Sequence, residues 1–340
     1  MILAVLYIAC QGDNTQPKPT EKTPTSGISI EKVEFTKERL RPSDHVLCVD
    51  TDNDGVDEAL FLKDGQLHTE LDSTPITGGV QAWVRDESSI WIATGFSKKY
   101  REAPMHVYRY SKAGLETHWT ENAQRNQITD LSLVDGRLFM AKFSAGTSIH
   151  GGWLDETFQP IVEANMAMQQ RPLPESSDKF VVGRLYGDEP RSDGDLTIWN
   201  QKAKTKLNNF RGVRALELVD INQDGFTDLL VADGWHYQYA KMGQARLSLY
   251  MGPDFTDRRI LTVLDDEYSI NHIELHHNGK WLLAQGTSSV YLLQNTPFGW
   301  KSERIGPITE TTNSTFCYTN KNSYVLTSGN NSIRYNIIPQ

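Results

Sequence analysis

The stretch VRALELVDINQDGFTDLLVAD, residues 213 to 233, decides how this chain folds. Two apolar runs flank a short polar turn, which is the pattern of a β-hairpin. The turn itself is unusual, because oxygen-bearing side chains occupy its first, third, fifth and ninth positions and Gly225 occupies the sixth. The stretch therefore raises two questions: how often the hairpin recurs, and what the oxygen cluster binds.

The hairpin pattern recurs along the whole chain of 340 residues. Hairpins begin near residues 46, 79, 128, 171, 213, 271 and 314. Their mean spacing of about 45 residues is the length of a four-stranded propeller blade. No segment has a long helical period, which a βαβ fold would need in every connection. The sequence predicts an all-β chain: a seven-bladed β-propeller of four-stranded antiparallel blades.

The two ends of the repeat array are expected to meet. The last repeat is one strand short when the chain reaches Gln340, whereas residues 28–36, ISIEKVEFT, alternate in polarity before the first repeat. This N-terminal segment can supply the missing outer strand. Such closure removes the exposed sheet edges of an open array.

The N-terminal MILAVLYIACQG is too short to span a bilayer, which needs about 20 apolar residues. It resembles a bacterial lipoprotein signal ending at Cys10, although no Lys or Arg precedes the apolar run and Tyr7 stands where Leu is usual. An ordinary secretory signal and a cytosolic chain remain alternatives. We predict a signal segment at 1–10, a Pro/Thr-rich tether at 11–27 and one propeller domain at 28–340. We expect the protein to be exported. It is either held in the cell envelope, at the outer membrane or in the periplasm, by a lipid anchor, or it is secreted.

Composition and cysteine content limit the partners and the compartment. The formal net charge is −9 and no basic stripe offsets it, so binding of nucleic acid is not expected. Besides Cys10, the chain has Cys48 and Cys317, in the similar strand-like settings HVLCVD and STFCYT. They are either small buried side chains or a single bridge, and the sequence leaves both interpretations open. We expect a monomer.

The oxygen cluster occurs twice, and both copies suit a hard cation. The first set, in DTDNDGVDE, comprises Asp50, Asp52, Asp54, the carbonyl of Val56, and Glu58. The second, in DINQDGFTD, comprises Asp220, Asn222, Asp224, the carbonyl of Phe226, and Asp228. Ca²⁺ takes 6–8 such oxygens, and without a cation the clustered carboxylates repel one another. The alternative is a pair of ordinary solvated turns. An EF-hand is excluded, because its twelfth position holds Phe61 or Val231 here and strands follow.

These loops, with the apolar strands after them, resemble FG-GAP or VCBS repeats, the calcium-bearing repeats of integrin α-subunit propellers and of many bacterial surface proteins. Two of the seven repeats carry the DxDxDG or DxNxDG signature, and the other five match in hairpin pattern alone. The resemblance implies a structural Ca²⁺ at up to two sites, each clamping the turn between the first and second strands of a blade.

The binding surface is expected on the opposite face, where second and third strands of a blade connect. The sequence predicts long connections there in repeats two to five, and enlarged loops on one face are a usual place for binding. The candidate ligand-binding residues are Tyr100, Arg101, His150, Arg191, Trp235, His236, Tyr237 and Tyr239. The aromatic run suits a sugar ring or a peptide side chain, and packing of the loop onto the ring is the alternative.

No catalytic signature is present: GxSxG, HExxH and a phosphate-cradling glycine loop are all missing from the sequence. No catalytic residue is therefore predicted. The leading hypothesis is a non-enzymatic, calcium-stabilised propeller that binds a protein or a glycan through the long loops of blades 2–5. The alternatives are a polysaccharide lyase or hydrolase with its site at the pore mouth, and an architectural role.

Overall fold

The computed structural model describes residues 34–39, 45–69, 72–96, 100–122, 126–145, 147–176, 178–186, 193–200, 203–234, 244–275, 281–296, 299–307, 315–320, 323–328 and 331–338. For 34–39, 144–145, 209 and the stretches from 315 onward, only the backbone is described. No helix in these ranges has the length and apolar character needed to cross a bilayer.

The chain forms a β-propeller with six blades of four consecutive antiparallel strands each, rather than the seven blades that the sequence predicts. Blade 1 contains β2 (His45–Val49), β3 (Glu58–Lys63), β4 (Gln66–His68) and β5 (Ser73–Pro75). Blade 2 contains β6 (Gly79–Arg85), β7 (Ser89–Gly95), β8 (Met105–Ser111) and β9 (Gly114–Glu121). Blade 3 contains β10 (Ile128–Val134), β11 (Arg137–Ala145), β12 (Ser148–Leu154) and β13 (Phe158–Asn165).

The second half of the ring repeats the same order. Blade 4 contains β14 (Gln169–Pro172), β15 (Lys179–Gly183), β16 (Gly194–Asn200) and β17 (Lys204–Phe210). Blade 5 contains β18 (Val213–Val219), β19 (Asp228–Asp233), β20 (Ala245–Tyr250) and β21 (Arg258–Leu264). Blade 6 contains β22 (His272–Leu275), β23 (Trp281–Gln285), β24 (Ser289–Thr296) and β25 (Gly299–Pro307).

The remaining strands form a further four-stranded sheet, which we call the composite sheet. It joins β26 (Thr315–Asn320), β27 (Ser323–Ser328) and β28 (Asn331–Ile338) to β1 (Glu34–Arg39) at its outer edge. Strand β1 pairs antiparallel with β28, and β26 lies beside β2 of blade 1. The predicted pairing of the N-terminal segment with the last repeat is thus confirmed for 34–36. The strand occupies 34–39 rather than 28–36, and 28–33 lie outside the described residues.

The strands form where the sequence alternates and the turns suit a tight hairpin. Asp64-Gly65 joins β3 to β4, and Asp135-Gly136 joins β10 to β11. All four residues have positive φ, between 52° and 75°. Two successive positive φ values twist a two-residue turn in the same sense as the strands it joins, which is why Asp-Gly is favoured there.

The hydrophobic core lies between neighbouring blades rather than at the centre of the ring. Between blades 3 and 4, Phe139 and Phe180 are buried with ring centroids 5.5 Å apart. Between blades 5 and 6, Leu230 packs in one cluster with Ile273 and Leu282. Since every described blade buries apolar side chains on both faces, each depends on its neighbours, as in other repeat arrays.

One predicted loop is wrong. The sequence predicts a long connection in repeat three, around His150, but β11 and β12 extend through most of FSAGTSIHGGW, residues 143–153, and leave only residues 146–147 between them. The adjacent Gly151 and Gly152 are typical of a loop. They belong to β12, where a Cβ on Gly152 would come within 2.0 Å of the Gln159 carbonyl oxygen. The long connections on this face are those of blades 2, 4 and 5, not of blades 2–5.

Candidate functional site

The first acidic loop, residues 50–58, wraps its backbone around its own carboxylates. Asp50 accepts hydrogen bonds from the amides of Asp54 at 3.1 Å and Gly55 at 2.8 Å. Asp54 accepts one from the amide of Val56 at 2.8 Å. Glu58, at the start of β3, accepts from both the amide and the hydroxyl of Thr51, at 2.8 and 2.7 Å. These bonds hold the loop in one shape.

The donor set of this loop fits a single cation. Asp50, Asp52, Asp54 and Glu58 each offer a carboxylate oxygen, and these oxygens all lie within 4.8 Å of one another. Calcium binds oxygens at 2.3–2.6 Å, so ligands on one ion are separated by no more than about twice that distance. The four carboxylates are therefore spaced as ligands of one Ca²⁺ would be.

The second acidic loop, residues 220–228, repeats the first almost bond for bond. Asp220 accepts from the amides of Asp224 at 3.1 Å and Gly225 at 2.8 Å, and Asp224 accepts from the amide of Phe226 at 2.9 Å. Its ninth residue behaves differently. Asp228 is fully buried and accepts from the amides of Ile221 at 3.0 Å and Gly252 at 2.8 Å. Among the described residues, only the first loop gathers four acidic ligands at metal-site spacing.

The other candidate site is the axial channel. The first strands of blades 1 to 6 enclose a cavity of about 730 Å³. Each of these blades contributes at least one polar or aromatic side chain: His45, Trp83, Asp130, Arg171, Glu217 and His272. These charged, polar and aromatic side chains of the channel thus come from the first strands of the blades rather than from loops.

Arg171 of blade 4 connects three successive blades inside the channel. Its guanidinium contacts both oxygens of Asp130 in blade 3 at 3.2 Å, and Glu217 in blade 5 at 2.9 Å. Burial raises the pKa of Asp130. Burial also opposes the charge on Arg171, but the two carboxylates outweigh it and hold its pKa above the ordinary value. The three groups satisfy one another, as a buried charge requires.

Blades 2 and 6 touch across the channel. The rings of Trp83 and His272 lie 5.3 Å apart, and Arg85 contacts Glu274 at 3.3 Å. The same Arg85 contacts Asp57 of the first acidic loop at 2.8 Å. Burial, with a smaller contribution from nearby Arg171, lowers the pKa of His272 to about 4, so its imidazole is neutral near pH 7. Both rings line the channel.

The structure brings few of the predicted ligand-binding residues together. Arg191, Trp235, His236, Tyr237 and Tyr239 lie outside the described residues. Tyr100 is half-buried and Arg101 is exposed, both before β8. His150 is not in a loop: it lies in β12, 3.3 Å from Glu163, and lines a groove of about 630 Å³ between blades 2 and 3.

Sequence reasoning missed the channel network, although a signal was present. Asp130, Arg171 and Glu217 are 41 and 46 residues apart, close to the repeat length, and each is a charged residue in the first strand of its blade. Charged residues at corresponding positions of successive repeats face one axis. A comparison of the repeats for charge within the first strand would have identified the channel.

Comparison with models of known protein families and with curated proteins finds no match for this chain. The resemblance to FG-GAP and VCBS repeats therefore stays a prediction, carried by the two loop signatures.

Proposed function

We propose that this chain is a non-enzymatic, calcium-stabilised β-propeller of the cell envelope that binds a protein or a glycan at one face of its ring. In this proposal the composite sheet serves as the seventh blade. One observation carries it: the longest connections between second and third strands, in blades 2, 4 and 5, join strands at one face of the ring, the face at which the first strands begin and Gln81 and Thr129 line the axial cavity. Long connections around a concavity supply contact area without disturbing the scaffold.

Calcium has a scaffold role in this proposal. The spacing of the four carboxylates in the first acidic loop supports one site, and the matching backbone of the second loop supports another. Both loops lie on the face opposite the long connections, since successive turns of a blade alternate between faces. Loss of calcium should weaken the fold and affect binding only through lost stability.

Export is supported by cysteine chemistry. Cys48 is disulfide-bonded, and disulfides persist in oxidising compartments such as the periplasm and the cell exterior. Cys317 is on β26, the strand beside β2, and we propose it as the partner. Peptide mapping without reduction tests this pairing: a linked peptide pair containing Cys48 and Cys317 is expected, and a link from Cys48 to Cys10 would contradict it.

A lyase or hydrolase in the channel is the second candidate, and the gathering of Arg171, Asp130 and His272 along one cavity favours it. Nε of Arg171 lies 3.2 Å from Oδ2 of Asp130, so the two side chains form an ion pair. Such a pair suits a structural link between blades better than catalysis by a general acid and a general base. A polysaccharide panel assayed for new reducing ends or for unsaturated products distinguishes the two. Turnover that is lost in Asp130→Asn would support the enzyme.

The binding proposal is tested on a glycan array and a panel of envelope proteins, using the whole chain with and without EDTA. The double variant Trp235→Ala/Tyr237→Ala should lose capture and keep its melting temperature, because aromatic anchors carry much of an interface's energy. Asp224→Ala should lower the melting temperature. At temperatures below that melting point, the variant should still capture the ligand. Unfolding of the aromatic variant would show that these rings are loop core, and the proposal would then fail.

A further inference from the structure

The axial channel carries neutral hydrogen-bonding side chains at the end where the first strands begin. Five side chains there bear an amide or a hydroxyl, and we call them the polar ring: Gln81, Thr129, Gln169, Asn271 and Gln285. The first four lie in or next to the first turn-proximal residues of a first strand. Gln285 ends β23, opposite His272 in the pairing of β22 with β23. The channel continues past this ring to Asp220.

The wall of the channel is fixed by the protein at the polar ring. Gln81 and Thr129 are each skipped where the first strand of a blade shifts register against the second. A bulge of this kind re-aims a side chain and is over-represented beside active sites. Gln81 accepts from the amide of Ile128 at 2.8 Å and donates to the carbonyl of Phe96 at 3.0 Å, so its orientation is set before any ligand arrives.

Gln285 supplies an independent sign of a ligand. The residue is 1% exposed and lines the channel, yet its Oε1 has no hydrogen-bond donor among the described residues. A buried acceptor without a donor destabilises a fold, and native proteins rarely leave one without a reason. A hydroxyl on a bound molecule would supply the missing donor.

The charges along the channel favour a neutral molecule. Arg171 and Arg85 each pair with channel carboxylates. Arg214, the third arginine of the described wall, already interacts within the protein. A charged ligand would therefore lose its water without gaining an unpaired counter-charge, which costs free energy.

The channel also offers apolar surface and enough room for a small molecule. The ring of Trp83 lines it, 5.3 Å from the ring of His272. The volume of about 730 Å³ lies within the 300–1,000 Å³ that is usual for small-molecule sites. A sugar presents hydroxyls at its edge and C–H groups on its faces, so it matches a wall of amides, a hydroxyl and an aromatic ring.

We propose that the axial channel binds a small neutral sugar at the polar ring, with a hydroxyl donating to Oε1 of Gln285 and a C–H face toward Trp83. This inference does not rest on the proposed function, because none of these groups belongs to the long connections or to the acidic loops.

The test is an NMR titration of the whole chain with D-glucose, D-galactose, D-mannose and N-acetyl-D-glucosamine, and with D-glucuronate as the charged counterpart. At least one neutral sugar should bind saturably with a dissociation constant below about 10 mM. D-Glucuronate should bind at least tenfold more weakly than that sugar. The double variant Trp235→Ala/Tyr237→Ala should bind the sugar as the wild type does, which separates this site from the surface of the long connections.

Gln285→Met tests the assigned contact. Methionine has a similar shape and no amide, so affinity for the sugar should fall by about tenfold, while the melting temperature stays equal or rises. Gln294→Met is the matched control: the same change on β24 of the same blade, outside the channel lining, should leave affinity unchanged. If Gln285→Met does not fold, Gln169→Leu replaces it, and it should weaken binding severalfold because Gln169 also belongs to the polar ring.

Three results would overturn the proposal. The first is a channel that holds water only, seen as no saturable binding by any of the four neutral sugars. The second is tighter binding of D-glucuronate than of every neutral sugar. The third is unchanged affinity in Gln285→Met with a lower melting temperature, which is the behaviour of a purely structural glutamine.

Discussion

The first and second acidic loops follow the same backbone course, and they differ in what their ninth residue does. Glu58 turns toward its own loop and completes a set of four carboxylate oxygens within 4.8 Å. Asp228 is fully buried: it accepts from the amide of Ile221, as Glu58 does from that of Thr51, and also from the amide of Gly252 in the turn before β21. One loop thus gathers four carboxylates at metal-site spacing, whereas the ninth residue of the other is bonded to the rest of its blade.

The largest difference is expected at the ninth residue itself. Asp228→Ala should lower the free energy of unfolding by about 4 kcal/mol, because it removes a fully buried carboxylate that accepts two hydrogen bonds, whereas Glu58 is only half-buried. This loss should be present in EDTA. Glu58→Ala should cost about 1 kcal/mol in EDTA, since the Thr51 groups that it frees are half-buried. Urea denaturation measures both, and equal losses in EDTA would show that the loops are alike.

Removal of calcium should separate the loops next. Free calcium at 100 times the dissociation constant stabilises the folded state by about 2.7 kcal/mol per site, so chelation should lower the melting temperature. Asp54→Asn should abolish most of the fall in melting temperature that EDTA causes. Asp224→Asn should reduce that fall by less. Thermal melts in EDTA, followed by titration of calcium back into the sample, give the two responses. An unchanged melting temperature in EDTA would mean that both loops are ordinary acidic turns.

The two loops also differ in how they contact the adjacent blade. Asp57 pairs with half-exposed Arg85, whereas the amide of Thr227 donates to Glu175 at 2.6 Å. Arg85→Gln should cost about 0.5–1 kcal/mol at low salt and almost nothing in 1 M NaCl, because salt screens an exposed pair. Glu175→Ala should cost about 1 kcal/mol at either salt concentration. A salt-independent loss in Arg85→Gln would contradict this distinction.

The smallest effect concerns the fourth residue of each loop. Asn53 and Gln223 both have a φ of 60°, a region that asparagine tolerates better than glutamine. Gln223→Gly should therefore stabilise the protein by about 0.5 kcal/mol, and Asn53→Gly should change stability by less. Denaturation midpoints of the two variants decide this, and a larger gain at Asn53 would show that side-chain contacts outweigh backbone strain.

The architecture was predictable from the sequence because each blade begins with a hairpin that is coded locally. The Asp-Gly turns and apolar runs predicted strand positions around the ring, including the N-terminal strand that pairs with β28. The loop predicted around His150 was wrong, since two adjacent glycines, Gly151 and Gly152, are typical of a turn when only the sequence is considered. Only the packed structure shows that neighbouring atoms leave no room for side chains there.

The site was less predictable, because its geometry depends on residues that are one repeat apart. The oxygen-bearing residues of each acidic loop lie within nine positions, so their spacing could be inferred from the sequence. The contact of Arg171 with Asp130 and Glu217, and that of Trp83 with His272, arise only when the ring brings first strands together. Periodicity indicated which residues form strands, and it did not indicate which of them meet on the axis.

The placement of β1 at the outer edge of the composite sheet determines how the protein is presented. Strand β1 occupies the position of a fourth strand, which runs away from the acidic-loop face, so the chain enters the ring at Glu34 on the rim of that face. If residues 11–27 tether the protein to a membrane, as proposed, the acidic loops face the lipid. The face of the long connections then points outward, and the attachment point does not obstruct it.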